Sequence, residues 1–95
     1  MYMPVSYAGP VEDYKNLLNG VQLWDVGVER QVQIKGPDAE ALSQFLTPRN
    51  IKKCSIGQAM YTPLVDFKGG LLNDPVMLKI DADCFWFSVS DGDLI

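Results

Sequence analysis

The run Leu71-Leu72-Asn73-Asp74-Pro75-Val76-Met77-Leu78-Lys79-Ile80 governs how the rest of the chain can pair. Alternation sets Leu72, Asp74, Val76, Leu78 and Ile80 on one face of a strand, so a carboxylate stands in an apolar row. That is costly unless the charge is paired. Pro75 removes a ladder donor, so Asp74-Pro75 marks an edge or a bulge where the backbone can open toward a ligand. Gln58 to Val65 is a second extended run, and Asp66-Phe67-Lys68-Gly69-Gly70 lies between the two. Two strands around a Gly-containing turn read as a hairpin.

The register of that hairpin has two solutions. A loop of Phe67 to Gly70 pairs Asp66 with Leu71 and brings Tyr61 opposite Val76, on the face of Asp74. A loop of Asp66 to Gly70 moves Tyr61 to the other face and sets Thr62 across from Asp74. Asp74 itself also has two readings. It is a carboxylate held in a low-dielectric pocket for a cationic or amine-bearing ligand, or it is satisfied locally, by backbone N–H groups at a bulge or by Arg30.

Outward from the hairpin, Asp81-Ala82-Asp83 turns the chain into Cys84-Phe85-Trp86-Phe87-Ser88-Val89, a run of strong strand formers. Upstream, Gly9-Pro10 opens a helix with a Tyr14, Leu17, Leu18 stripe that closes at Asn19-Gly20. Val26 to Ile34 alternates as a half-buried strand, with Arg30 falling on its apolar side between Val28 and Val32. Gly36-Pro37-Asp38 opens a second helix whose Ala39, Leu42, Phe45 and Leu46 form the expected buried stripe, closed by Thr47-Pro48. Arg49 to Lys53 reads as a polar linker. Trp24, Trp86, Phe85 and Phe87 read as core, and Gly69-Gly70 as turn geometry, since no Lys-Ser/Thr sequel makes it a phosphate loop. The expected fold class is α+β, a mainly antiparallel sheet with two covering helices.

Composition bounds the chemistry. Ninety-five residues hold a single core, and a hydrophobic share of 47% is ordinary globular usage. Eight basic against 12 acidic residues give a net charge of −4, an unsuitable field for nucleic acid or an anionic membrane. Histidine is absent, so Ser-His-Asp relays and imidazole metal sites are excluded, and Cys54 and Cys84 lack zinc or thioredoxin spacing. No metal is expected. With no signal-peptide pattern and no long apolar run, the expectation is a cytoplasmic protein with free thiols. Ser90-Asp91-Gly92-Asp93-Leu94-Ile95 has the form of a capping box with no helix after it. Residues 1–95 are therefore expected to be a single partial domain, truncated after Ile95.

Leu23-Trp24-Asp25-Val26, Gly36-Pro37-Asp38-Ala39, Gly57-Gln58-Ala59-Met60-Tyr61-Thr62 and Gly69-Gly70-Leu71-Leu72-Asn73-Asp74-Pro75-Val76, in this order, resemble the opening of the folate-binding domain of the glycine-cleavage aminomethyltransferase family. Trp24 to Val32, Leu46-Thr47-Pro48-Arg49-Asn50 and Asn73 to Val76 look closer to its tetrahydrofolate-dependent dimethylsulfoniopropionate demethylase branch. Gly27-Val28-Glu29 stands where glycine-cleavage members carry Ser-His-Met, and Asn73 stands at the first position of their paired Asp motif.

The resemblance implies methyl or aminomethyl transfer to tetrahydrofolate from a small zwitterionic donor. It marks Asp74 as the catalytic carboxylate and Tyr61 and Val76 as folate-pocket residues, and it favours the register with Tyr61 opposite Val76. A glycine-cleavage or a sarcosine- or dimethylglycine-type aminomethyltransferase, and a non-catalytic folate-binding or assembly protein, stand as alternatives. The family's later pterin-clasping residues fall past Ile95, so the chain alone is expected to turn over no donor. Open strand edges point to a homo-oligomer, a strand-swapped dimer being one form.

Overall fold

The computed structural model describes residues 4–90. Helix α1 spans Pro10–Asn19, strand β1 Gln31–Lys35, helix α2 Ala39–Phe45, and a 3-10 turn Ile51–Lys53. Strands β2 (Ala59–Tyr61), β3 (Leu64–Val65), β4 (Leu71–Asn73), β5 (Val76–Asp81) and β6 (Cys84–Ser88) follow. One sheet has the order β1-β6-β5-β2 and the other pairs β3 with β4, all antiparallel. The α+β class and the antiparallel sheet are as expected. From Asp91 on, the capping-box reading lies outside the described residues.

The hairpin divides because two prolines meet across it. Pro63 and Pro75 have no N–H to give the ladder, and at this point both strands leave the larger sheet and pair again as β3 and β4. The Thr62 N–H donates to the Pro75 carbonyl at 2.9 Å and closes the larger sheet's end. Each of the two sequence registers holds over one half. Beside the turn Val65 faces Leu71, whereas beyond an irregularity Leu64 faces Asn73 and Tyr61 faces Val76. Leu72 is the residue left over, a β-bulge. The turn is held by Asp66, whose Oδ1 accepts the Lys68 and Gly70 N–H groups at 2.8 and 2.7 Å. Gly69 has φ +82°, open to a residue without Cβ.

The core lies on one face of the larger sheet. Met77, Phe85, Phe87 and Val89 point there and meet Ala39, Ile51 and Cys54, with Val32, Ile34, Met60 and Leu64 packed around them. Several expectations are corrected by this packing. The row Leu72, Val76, Leu78, Ile80 is not the core row; the alternate residue Met77 is fully buried, while Leu72 is 68% exposed because the bulge turns it out. On α2 the buried residues are Ala39 and Ser43, with Leu42 and Phe45 exposed. Small side chains let the helix approach the sheet closely, and Phe45 instead packs edge-on against Phe67 at a centroid distance of 6.2 Å.

The alternation from Val26 does not become strand until Gln31. Val26 to Glu29 forms a turn closed by the Glu29 N–H on the Val26 carbonyl, and Arg30 is exposed. Among the described residues the ion pair is Lys79–Glu40 at 3.1 Å, so Arg30 does not neutralise Asp74. Trp24 and Trp86 are 68% and 41% exposed and are not core. Ile51, read as part of a polar linker, is fully buried, and α1 contains no buried residue.

Candidate functional site

The face of the larger sheet opposite the core carries two rows of cross-strand partners. Tyr61 is opposite Val76, Val76 opposite Ser88, and Ser88 opposite Gln31. A second row runs Ala59, Leu78, Trp86, Gln33. These residues share a face because side chains alternate across a strand, and Phe85 and Phe87 occupy the other side.

At one end of the first row the Tyr61 hydroxyl donates to Asp74 Oδ2 at 2.8 Å. The pair exists because Pro75 breaks the ladder at the point where β4 gives way to β5, which frees Asp74 to reach across to β2. The Tyr61 hydroxyl, and after it the Ser90 side chain, holds the Asp74 carboxyl below its usual range, with a smaller opposing effect of desolvation. The same hydrogen bond raises the Tyr61 phenol. Asp74 is thus a carboxylate at neutral pH, oriented by a phenol that stays protonated. Asp74 is partly buried within this chain, and the hydrogen bond from Tyr61 sets its orientation.

At the other end, Gln31 Nε2 donates to Ser88 Oγ at 2.7 Å and that hydroxyl donates to Glu29 Oε2 at 3.0 Å. Trp86 Nε1 donates to Gln33 Oε1 at 3.2 Å. Between the two polar ends Val76, Leu78 and Trp86 form a partly exposed apolar floor, Val76 being 40% exposed.

All three residues marked in the sequence, Asp74, Tyr61 and Val76, come together here. Glu29, Gln31, Ser88 and Trp86 share this surface and are not among the residues that the sequence marks. Alternation of the last strand could have set Trp86 and Ser88 on this face, but no local signal reaches Glu29, which arrives by a turn. A cavity of about 380 Å³ lined by Tyr7, Tyr14, Leu17 and Trp24 lies elsewhere, against α1, and contains none of these groups. Among the described residues no group of three or more His, Cys, Asp or Glu could hold a metal ion, and no helix is long and apolar enough to cross a membrane.

The model of the GCVT N-terminal domain matches residues 1–93. The chain belongs to the GCVT N-terminal domain family. Its relatives include dimethylsulfoniopropionate demethylase DmdA of Ruegeria pomeroyi, 44% identical over 95 residues, which are 100% of this chain and 26% of that protein. An aminomethyltransferase of Prosthecochloris aestuarii is 37% identical over 87 residues, 92% of this chain and 24% of that protein. The chain thus spans about a quarter of the length of these relatives. The solved structure of glycine cleavage system aminomethyltransferase T from Bartonella henselae superposes with a TM-score of 0.67 at 20% identity, covering 73% of this chain and 19% of that one. That likeness is one of fold, and within this GCVT-type fold the Tyr61–Asp74 pair sits where the proline-broken hairpin meets the larger sheet.

Proposed function

We propose that this GCVT-family chain forms one wall of a site for tetrahydrofolate-dependent methyl transfer from a small zwitterionic donor such as dimethylsulfoniopropionate. In this reading it is the first part of a longer, cytoplasmic enzyme, and the rest of the pocket comes from residues beyond it. The observation that carries the reading is the Tyr61–Asp74 pair at 2.8 Å beside the exposed Val76, three residues that the family resemblance marks together. The 44% identity to a protein named as a dimethylsulfoniopropionate demethylase supports this donor class.

The face suits a pterin. Val76, Leu78 and Trp86 offer an apolar and aromatic floor, and Asp74 sets an acceptor at its edge for ring N–H groups. Tetrahydrofolate, when bound, supplies the nitrogen that takes up the one-carbon unit. The chain's part is positional and electrostatic. Asp74 is held ionised, so it complements positive charge on the donor and on the nitrogen as its bonding changes. Tyr61 fixes the rotamer of that carboxylate and keeps its own proton. No covalent bond to the protein is required.

Glycine-cleavage chemistry is the second reading, favoured by the 37% identical aminomethyltransferase. The test uses the full-length protein that contains this segment, assayed for transfer to tetrahydrofolate from dimethylsulfoniopropionate and, separately, from glycine-cleavage substrates. Asp74→Asn should lower kcat/KM on the correct donor by on the order of 10²-fold, the usual loss when one preorganised electrostatic group is removed. Folate binding should fall much less. Near-parental turnover in the variant overturns the role of Asp74, and folate binding without turnover on any donor makes the protein a non-catalytic folate binder.

A further inference from the structure

Glu29 has no evident reason to lie where it does if it serves only the fold. It sits outside the regular strands, just before β1, yet its Oε2 is held at 3.0 Å by the hydroxyl of Ser88, the last residue of β6. Ser88 is in turn fixed by Gln31 at 2.7 Å, so the carboxylate is anchored through two side chains. Among the described residues no lysine or arginine lies within ion-pair distance of it, Lys79–Glu40 being the ion pair found there.

Along the row the order is Tyr61 with Asp74, then Val76, then Ser88 with Glu29. Tyr61 and Ser88 flank Val76 from the strands on either side, their backbones on the order of 10 Å apart at about 4.8 Å per strand, and the hydroxyl of each holds one of the two carboxylates. A methylated onium group suits a surface that sets carboxylates around an apolar side chain. Such a cation has no N–H to donate, so it is recognised by charge across a short gap and by apolar or aromatic contact with its alkyl groups. Val76 supplies the apolar contact directly, and Trp86, two residues from Ser88 on the same face, supplies an aromatic surface.

We infer that Glu29, positioned by Ser88, is a second carboxylate of this site and recognises the positive charge of a donor seated over Val76. This rests on the methyl-transfer reading for the word donor. The recognition itself is testable without turnover.

The experiment uses the full-length protein with two probes, trimethylglycine and its carbon isostere 3,3-dimethylbutanoate, which lacks the positive centre. Binding is read by calorimetry alongside KM and kcat with dimethylsulfoniopropionate. The parent protein should prefer trimethylglycine by about fivefold or more, the scale of one partly exposed charge pair. Glu29→Gln keeps an acceptor for Ser88 but removes the charge. It should erase most of that preference and raise KM by about fivefold, with kcat and folate affinity near parental. Ser88→Ala should move KM in the same direction by loosening Glu29, and Glu29→Asp should recover part of the preference. An unchanged probe preference in a folded Glu29→Gln protein overturns the inference, as does equal binding of both probes by the parent. If no donor is turned over but the preference is present and depends on Glu29, the charge-recognition role stands while the methyl-transfer reading fails.

Discussion

Met77 and Leu72 lie on the same hairpin arm, and truncating either to alanine removes three heavy atoms, yet the structure sets very different consequences. Met77 is fully buried between Phe87 on β6 and Met60 on β2, its register partners. Loss of its transfer free energy, about 1.5–3 kcal/mol for a fully buried side chain, comes first. A void of roughly 60 Å³ at about 24 cal/mol per Å³ adds about 1.5 kcal/mol, giving about 3–4.5 kcal/mol for Met77→Ala. Leu72 is 68% exposed at the bulge, so only about a third of a similar transfer term is at stake and no void forms. Leu72→Ala should cost less than about 1 kcal/mol. Urea unfolding followed by circular dichroism reads both, with the shift in midpoint taken at unchanged m. Equal losses for the two variants, or a larger loss for Leu72→Ala, would mean that the bulge is absent and that β5 presents its other face to the core.

Tyr61→Phe removes the principal group depressing Asp74, leaving the Ser90 side chain, so the Asp74 pKa should rise toward the ordinary carboxylate value in an NMR pH titration; no change refutes the pair. Because the folded pKa is lowered, ionised Asp74 adds stability above its unfolded pKa that is lost as pH falls through the folded one, and in Tyr61→Phe that loss should be smaller and complete at higher pH. Asp66→Ala strips two backbone N–H partners from the turn and should cost about 1 kcal/mol, read as an unfolding midpoint, with amide exchange accelerating at Lys68 and Gly70. With the outer edges of β1 and β2 unpaired within the larger sheet, light scattering at micromolar concentration should show a dimer or larger species; a stable monomer refutes this.

Much of the local structure was legible from residue types. Gly9-Pro10 and Asn19-Gly20 bound α1 because proline suits a first turn and glycine a helix end, and Cys84 to Ser88 could hardly be anything but strand. Asp74-Pro75 announced a break in pairing because a missing N–H is a covalent fact, independent of the rest of the fold. The candidate trio Asp74, Tyr61 and Val76 was likewise named in advance, through the resemblance of ordered motifs.

What local pattern could not decide was which face meets the core and how far a register persists. Period two sorts Leu72 to Ile80 into two sets but does not say which set is buried. Here the set containing Met77 won, because it meets Phe87 on β6, across from the small faces of Ala39 and Ser43 on α2, and Leu72 dropped out of either set at a bulge. The hairpin followed one register beside its turn and the other beyond it, since Asp66 dictates the first and the pairing of β2 with β5 dictates the second. Glu29 reached the site by a turn and a hydrogen bond to Ser88 nearly sixty residues away, a contact that no window of sequence contains. Turn positions and the break at Asp74-Pro75 follow from covalent geometry and side-chain shape, which residue types alone carry. Only the tertiary structure decided which side of the sheet is dry and which carries the carboxylates, because that depends on what each face finds to pack against.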